Sequence, residues 1–294
     1  IALTRELFFE EENPMRPPVA LTIAGSDPSG GAGIQADLKT FTALGTYGCA
    51  VITSLTAQNT QGVDGVFTPP ASFVRDQLKT LLDDVYVDAT KIGMIPNAEV
   101  AEVLAYVIEE RRSDFGKIVL DPVMVATSGD MLMAEDAMSI LHDRLLPLAD
   151  VLTPNIPEAA LLLGENPATD EAEMKEQGLK LINRGPKSVL VKGGHLRGSE
   201  LVDVFVQLGN VVDVLTGDMI NTRNTHGTGC TLSSAIAAQY ARVAGGADAT
   251  DIGVVASARE FLQSAILHAK EWEISKSPES GHGPTNHLIT IQGV

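Results

Sequence analysis

Asn224-Thr225-His226-Gly227-Thr228-Gly229-Cys230-Thr231-Leu232 is a turn rich in small residues that runs into a helical stretch with few charges. The first backbone N–H groups of a helix lack partners within it and carry the positive end of its dipole. A turn this slim lets a phosphate rest directly on those donors. Gly227, Gly229 and Cys230 would offer their amides, with Thr225 and Thr228 beside them. A second glycine-rich turn spans residues 25–33. If the first turn holds a phosphoryl group, the second is the place for whatever receives it.

Such a pairing needs a scaffold large enough to bring distant turns together. The chain has 294 residues, 44% of them hydrophobic, enough for a substantial core. The net charge of −17 and a pI near 4.6 argue against general binding to nucleic acid or to an anionic membrane surface. A polyanionic substrate must therefore be held by a few local groups. Cys49 and Cys230 form no CxxC unit and suggest neither a disulfide framework nor a zinc site, so a reducing cytoplasm is the expected location. Residues 1–16, with Glu10-Glu11-Glu12, do not resemble a signal peptide and read as a tail or linker before a unit spanning 17–294.

Along that unit, short apolar runs alternate with helical spacing. Val19 to Ala24, Cys49 to Thr56, Ala89 to Ile95 and Ile118 to Leu120 read as strands, followed by Val151-Leu152 and Val189 to Lys192. Helical patterns cover Ile34 to Leu44, Val74 to Val85 and the stretch after Asn97, a plausible cap. Leu201 to Leu215 reads as a hairpin around Gly209-Asn210 at a sheet edge. Strand–helix alternation with strands apolar throughout implies a mostly parallel sheet between two helical layers.

Ligands in such sheets bind at the carboxyl ends of the strands. Polar and glycine residues gather there: Gly25-Ser26-Asp27, Gln58-Asn59, Gly93-Met94, Asp121, Thr153-Pro154-Asn155, Lys192-Gly193-Gly194-His195 and the turn at 224–230. Gly31-Ala32-Gly33-Ile34-Gln35-Ala36 also fits the G-x-G-x-x-A dinucleotide fingerprint. That fingerprint needs an acid about 20 residues on. The second strand ends in Thr56, Gln58 and Asn59, which disfavours a nicotinamide-dependent oxidoreductase. No Walker loop, G-x-x-x-x-G-K-[ST], is present.

Taken together, Ala24 to Asp37, Gln58-Asn59-Thr60, Lys91-Ile92-Gly93-Met94, Asp121 to Met124, Thr153-Pro154-Asn155, Lys192 to His195 and Gly227 to Cys230 resemble the hydroxymethylpyrimidine/phosphomethylpyrimidine kinases of thiamine biosynthesis. The resemblance runs in order from about Val19 to His287. It implies a ribokinase-like three-layer α/β/α sandwich with a mostly parallel central sheet. It also implies ATP-dependent phosphorylation of 4-amino-5-hydroxymethyl-2-methylpyrimidine and then of its monophosphate by an enzyme that is usually a homodimer.

Roles follow for individual residues. The Gln58 carboxamide offers a donor and an acceptor to match an aminopyrimidine edge. Gly25, Ala32 and Gly33 would let backbone approach a flat ring, with Thr56 and Met94 as walls. Asp37, one turn into the first helix, matches the family's substrate-binding aspartate. Asn155 and Glu158 stand three apart at a helix opening, and the resemblance places Glu158, with Asp121 second, near Mg2+. Lys192 would balance triphosphate charge, while His195 is set aside as a solvated or structural loop residue. Most ribokinase relatives end the glycine turn in Asp. Cys230 stands there instead, the helix dipole lowering its pKa and a nearby phosphate raising it, and it is expected to accept or relay the hydroxyl proton. A pyridoxal or pyridoxine kinase of the same fold is the near alternative, and a non-catalytic ligand-binding protein a remote one. Dependence on a monovalent cation and fusion to another thiamine-pathway enzyme stay open.

Overall fold

A computed structural model describes residues 16–124, 134–194, 200–209, 211–246 and 251–290. Residues 1–15, His195 and Asn210 lie outside the described residues. Side chains along a strand point alternately to opposite faces, so a continuous apolar run can be buried on both. In β1 (Val19–Gly25), Leu21 and Ile23 join one core while Ala20 joins the other. The division repeats in β4 (Ala89–Ile92), β5 (Lys117–Leu120) and β7 (Ser188–Val191). Ile92, Ile118, Leu120, Val189 and Val191 face the first core, and Ala89, Val119 and Leu190 the second.

With β2 (Tyr47–Gln58), β3 (Val63–Phe67), β6 (Val151–Leu152), β8 (Glu200–Gln207) and β9 (Val211–Asp218), these strands make one sheet ordered β3-β2-β1-β4-β5-β6-β7-β8-β9. Pairing is parallel from β2 through β7 and antiparallel for β3, β8 and β9. The first core is closed by α2 (Ala71–Leu82), α3 (Ala98–Glu110), α4 (Glu135–Ile140), α5 (Ile156–Leu163) and α6 (Glu171–Ile182). The second is closed by α1 (Gly33–Ala43), α7 (Thr228–Ala244) and α8 (Asp251–Ala269). The expected three-layer ribokinase-like sandwich is therefore present. Fully buried Ala235, Ala237, Ala238 and Ala241 let α7 lie close against β1, β4 and β5, between α1 and α8.

The chain leaves β1 toward β2 on one side and later reaches β4 on the other. That reversal opens a crevice beyond the carboxyl ends of β1 and β4, where open sheets of this type bind ligands. Asn97 caps α3, its side chain accepting from the Val100 N–H, and β8 and β9 form the expected edge hairpin. The third strand stops at Ile92 rather than Ile95, and the second continues past Thr56 to Gln58. Strand β3 has no counterpart in the apolar pattern because four of its five residues are exposed and its middle is Asp64-Gly65. Among the described residues no helix is long and apolar enough to cross a membrane.

Asp150, just before β6, ties the foot of the sheet together. Its carboxylate accepts from Arg112 Nη2 at 2.5 Å, Lys187 Nζ at 2.7 Å and the Ile118 N–H at 2.8 Å. Burial pushes its pKa up, but the bonds from Lys187 and Ile118 and the charge of Arg112 outweigh it and the net shift is downward. A lowered carboxylate contributes stability that is present above its unfolded pKa and is lost as pH falls through the folded value. Asp150→Ala should therefore cost about 2–4 kcal/mol at pH 7 and flatten the loss of stability on acidification below pH 4, read by urea melts across pH. An unchanged pH 7 midpoint would show that the three bonds add nothing.

Candidate active site

The two glycine turns meet. Gly227 has φ +77°, and a Cβ there would lie 1.8 Å from the Gly31 carbonyl oxygen, so only glycine allows this approach. Across the contact, His226 Nε2 lies 2.8 Å from Asp27 Oδ2. Asp27 also accepts from the Ser29 N–H at 2.8 Å and the Ala32 N–H at 2.9 Å. Burial raises its pKa, yet the bonds from His226 and Ser29 prevail and hold it down at about 2. A fixed carboxylate thus shapes the first turn and anchors the second.

Beyond the turns lies a cavity of about 660 Å³ at the carboxyl ends of the strands. At one end stand Gly25, Ala32, Gly33, Thr56, Gln58 and Met94. Thr56 Oγ1 lies 2.8 Å from the Ser26 carbonyl and 3.1 Å from Gln58 Oε1. Gln58 Nε2 has no acceptor among the described residues. Ser54 Oγ contacts Met94 Sδ at 3.6 Å and so fixes that wall.

At the other end Asp121, Lys192, Glu158 and Asn155 are linked by direct contacts, and Thr225, Gly227, Thr228, Gly229 and Cys230 line the cavity as well. Helix α7 starts without a side-chain cap. The Thr228 N–H turns back to the Thr225 carbonyl at 3.3 Å and the Thr231 N–H to that of Gly227 at 2.8 Å. The amides of Gly227, Gly229 and Cys230 have no acceptor among the described residues. Three unpaired donors at a helix start facing a cavity are an arrangement able to hold an anion.

Lys192 Nζ lies 3.0 Å from Asp121 Oδ1 and 4.0 Å from Glu158 Oε2. Asp121 also accepts from Thr153 Oγ1 and Ser233 Oγ. Burial pushes Asp121 up, but Lys192 and Lys91 pull harder and its pKa is lowered. Burial dominates at Glu158, only partly opposed by Lys192, and raises its pKa to about 7. Asn155 and Glu158 form a reciprocal capping box at the start of α5, each side chain 2.8 Å from the other's backbone nitrogen. This arrangement leaves Asn155 Nδ2 and Glu158 Oε1 unbonded among the described residues.

Two expectations change. Asp37 does not line the cavity. It is fully buried beneath it and takes bonds from Thr22 Oγ1, Ser234 Oγ and Lys91 Nζ at 2.6–3.0 Å, so its oxygens are spent before any substrate arrives. Nor is Cys230 set up to accept a proton. Burial raises its thiol to about 11, overriding the lowering by Lys91 and the Gly33 N–H. Sequence reasoning also passed over Lys91, Asp27 and His226 as working residues. A lysine inside the buried run Ala89-Thr90-Lys91-Ile92 was the available signal, since a charge there demands a partner.

The family model described as phosphomethylpyrimidine kinase matches residues 27–286. The chain belongs to the phosphomethylpyrimidine kinase family. It is 48% identical to the hydroxymethylpyrimidine/phosphomethylpyrimidine kinase of Rhizobium meliloti over 271 residues, covering 92% of this chain and 97% of that one. Among solved structures, the phosphomethylpyrimidine kinase of Clostridium difficile 630 aligns with a TM-score of 0.72 at 40% identity, over 84% of this chain and 99% of that one. The ADP complex of Bacillus subtilis pyridoxal kinase aligns with a TM-score of 0.79 at 37% identity, over 92% and 97%. Both activities of the neighbours share this fold, so the substrate must be argued from the cavity.

Burial pushes the Cys230 thiol up to about 11, so it is mostly protonated near neutral pH. Alkylation of Cys230 by iodoacetamide, followed by peptide mass spectrometry, should be slow at pH 7–8 and climb steadily toward pH 11. Rapid modification at pH 7 would restore the thiolate.

Proposed function

We propose that this chain transfers the γ-phosphoryl group of ATP to the hydroxymethyl oxygen of 4-amino-5-hydroxymethyl-2-methylpyrimidine, and then phosphorylates the monophosphate to the diphosphate, in thiamine biosynthesis. One observation carries the reading beyond family membership. A carboxamide, Gln58, lines the same cavity as three unpaired amides and Lys192. An aminopyrimidine pairs its ring nitrogen and exocyclic amine with the Nε2 and Oε1 of Gln58, which aims the hydroxymethyl group toward the turn at 227–230. An analogue lacking either group strands Gln58 in a partly buried site, a costly loss. Residues 17–294 act as one kinase domain in this reading.

Phosphoryl transfer rests on positioning and charge stabilisation. The Gly227, Gly229 and Cys230 amides hold the transferring group, with Thr225 and Thr228 beside it and Asn155 Nδ2 and Lys192 on the triphosphate. Glu158 and Asp121 give all-oxygen ligation, the kind Mg2+ takes together with phosphates and water. Glu158 Oε1 and Asp121 would hold that ion, which when bound neutralises β- and γ-phosphate charge. Since the thiol stays protonated, the hydroxyl proton passes to an oxygen of the transferring phosphoryl group. The new O–P bond forms as the bond to ADP breaks, and ADP departs with the electron pair. The enzyme acts as a homodimer in the cytoplasm.

Pyridoxal kinase neighbours make pyridoxal the alternative acceptor. ADP release should be at least tenfold faster, by kcat/KM, with the pyrimidine alcohol than with pyridoxal. Turnover on pyridoxal alone would reverse the assignment. Gln58→Leu should raise the KM for the pyrimidine at least about tenfold while the KM for ATP stays within twofold; equal losses would misplace the residue. Cys230→Ala should keep kcat within about tenfold of the parent, whereas loss of an essential proton acceptor takes about 10²–10⁴.

A further inference from the structure

Lys91 and Asp37 form an ion pair with both side chains fully buried. Burying two charges costs several kcal/mol each, and a pair of apolar residues would fill the same space at no electrostatic penalty. The pair's orientation is what sets it apart. Lys91 borders the cavity and Asp37 does not, so the positive end faces the reaction space. Asp37 is held from three sides, by Thr22 Oγ1 on β1 at 2.6 Å, by Ser234 Oγ on α7 at 2.6 Å, and by Lys91 Nζ at 2.9 and 3.0 Å. Lys91 spends two of its three N–H donors on Asp37, and the third has no acceptor among the described residues. Ser234 lies one helical turn after Cys230, which sets the ammonium beneath the first turn of α7.

We propose that Lys91 is the buried cation that offsets the negative charge gathering at the unpaired amides of residues 227–230 during phosphoryl transfer, and that Asp37 is the positioning residue that keeps Lys91 beneath them. This rests on the kinase reading. Lys192, the other lysine lining the cavity, is already paired with Asp121. Lys91 supplies positive charge that no substrate need displace and no water screens, in a place where a fixed cation acts most strongly. The second cation lets the site hold a transferring group flanked by Asp121 and Glu158.

The test uses the full chain. Lys91→Met alone would strand a buried carboxylate, so Lys91→Met/Asp37→Asn removes both charges together. The double variant should fold, keep both KM values within about threefold and lose about 10²-fold in kcat. Ser234→Ala, which loosens only the hold on Asp37, should lower kcat a few-fold with KM unchanged. A folded double variant with kcat within threefold, or a loss confined to KM, would overturn the proposal. If the double variant does not fold, Ser234→Ala decides in the same way, an unchanged kcat refuting it. The Cys230 alkylation profile supplies a readout independent of activity. That thiol faces Lys91, Asp37, Asp121, Lys192 and the Gly33 N–H, and among these Lys91 exerts the largest influence. The double variant removes the lowering by Lys91 together with the lesser raising by Asp37, so the midpoint should move modestly to higher pH; a shift to lower pH counts against Lys91's reach. Absence of ADP formation by the parent chain would instead sink the kinase reading, with the thiol profile still deciding on Lys91.

Discussion

The first turn of α7 is fixed by two successive serines. Ser233 Oγ bonds Asp121, whose other oxygen faces Lys192, and Ser234 Oγ bonds Asp37, the partner of Lys91. Ser233 thus ties the helix to Asp121, just after β5, and Ser234 ties it to Asp37 on α1, whose partner Lys91 lies in β4. Unpaired amides at a helix start are useful only if the helix cannot shift along its axis, because preorganised donors stabilise charge without reorganising. The alanines that follow permit close packing of α7 against the sheet, and the two serine bonds tie it to Asp121 and Asp37. The turn that precedes α7 is held in its turn by Asp27, through His226 and the close approach of Gly227 to Gly31.

How much of this was legible in the sequence depends on distance along the chain. The Asn97 cap and the glycine turns are local, set by a few neighbouring residues, and could be read directly. The strands were legible as apolar runs because burial on both faces leaves no polar alternation to mislead. Strand β3 failed for the converse reason, being exposed and held by backbone pairing with β2. Asp37 with Lys91, and Asp27 with His226, join residues 54 and 199 positions apart. Nothing in a single sequence pairs such partners. Asp37 was accordingly read by its local position, one turn into a helix behind a ligand loop, whereas its contacts beneath the cavity decide its surroundings.

The two ends of the cavity differ in how they are stiffened. At the Gln58 end the contacts are neutral: a threonine hydroxyl between a carbonyl and the carboxamide, and a serine against a methionine sulfur. Neutral contacts of this kind suit recognition of an uncharged heteroaromatic ring, where complementarity of donors and acceptors discriminates. At the other end every side chain of consequence is charged or turned toward charge, as the phosphates require. The chain's overall acidity makes that local balance necessary, since the surface at large repels a triphosphate.

Cys230 is best understood through the same balance. Its sulfur sits where both Asp37 and Asp121 raise the pKa and Lys91 lowers it. A carboxylate in its place would be a third acid in a buried space and would draw on the positive charge of Lys91. The thiol stays neutral, because desolvation outweighs the cation, and it leaves that charge available to the phosphoryl group. A weak acid at this position is therefore consistent with a site that works by electrostatics, in which a loose transition state asks little of a base. The residue that distinguishes this glycine turn from one ending in aspartate does so by declining a charge, and the lysine beneath it gains in effect.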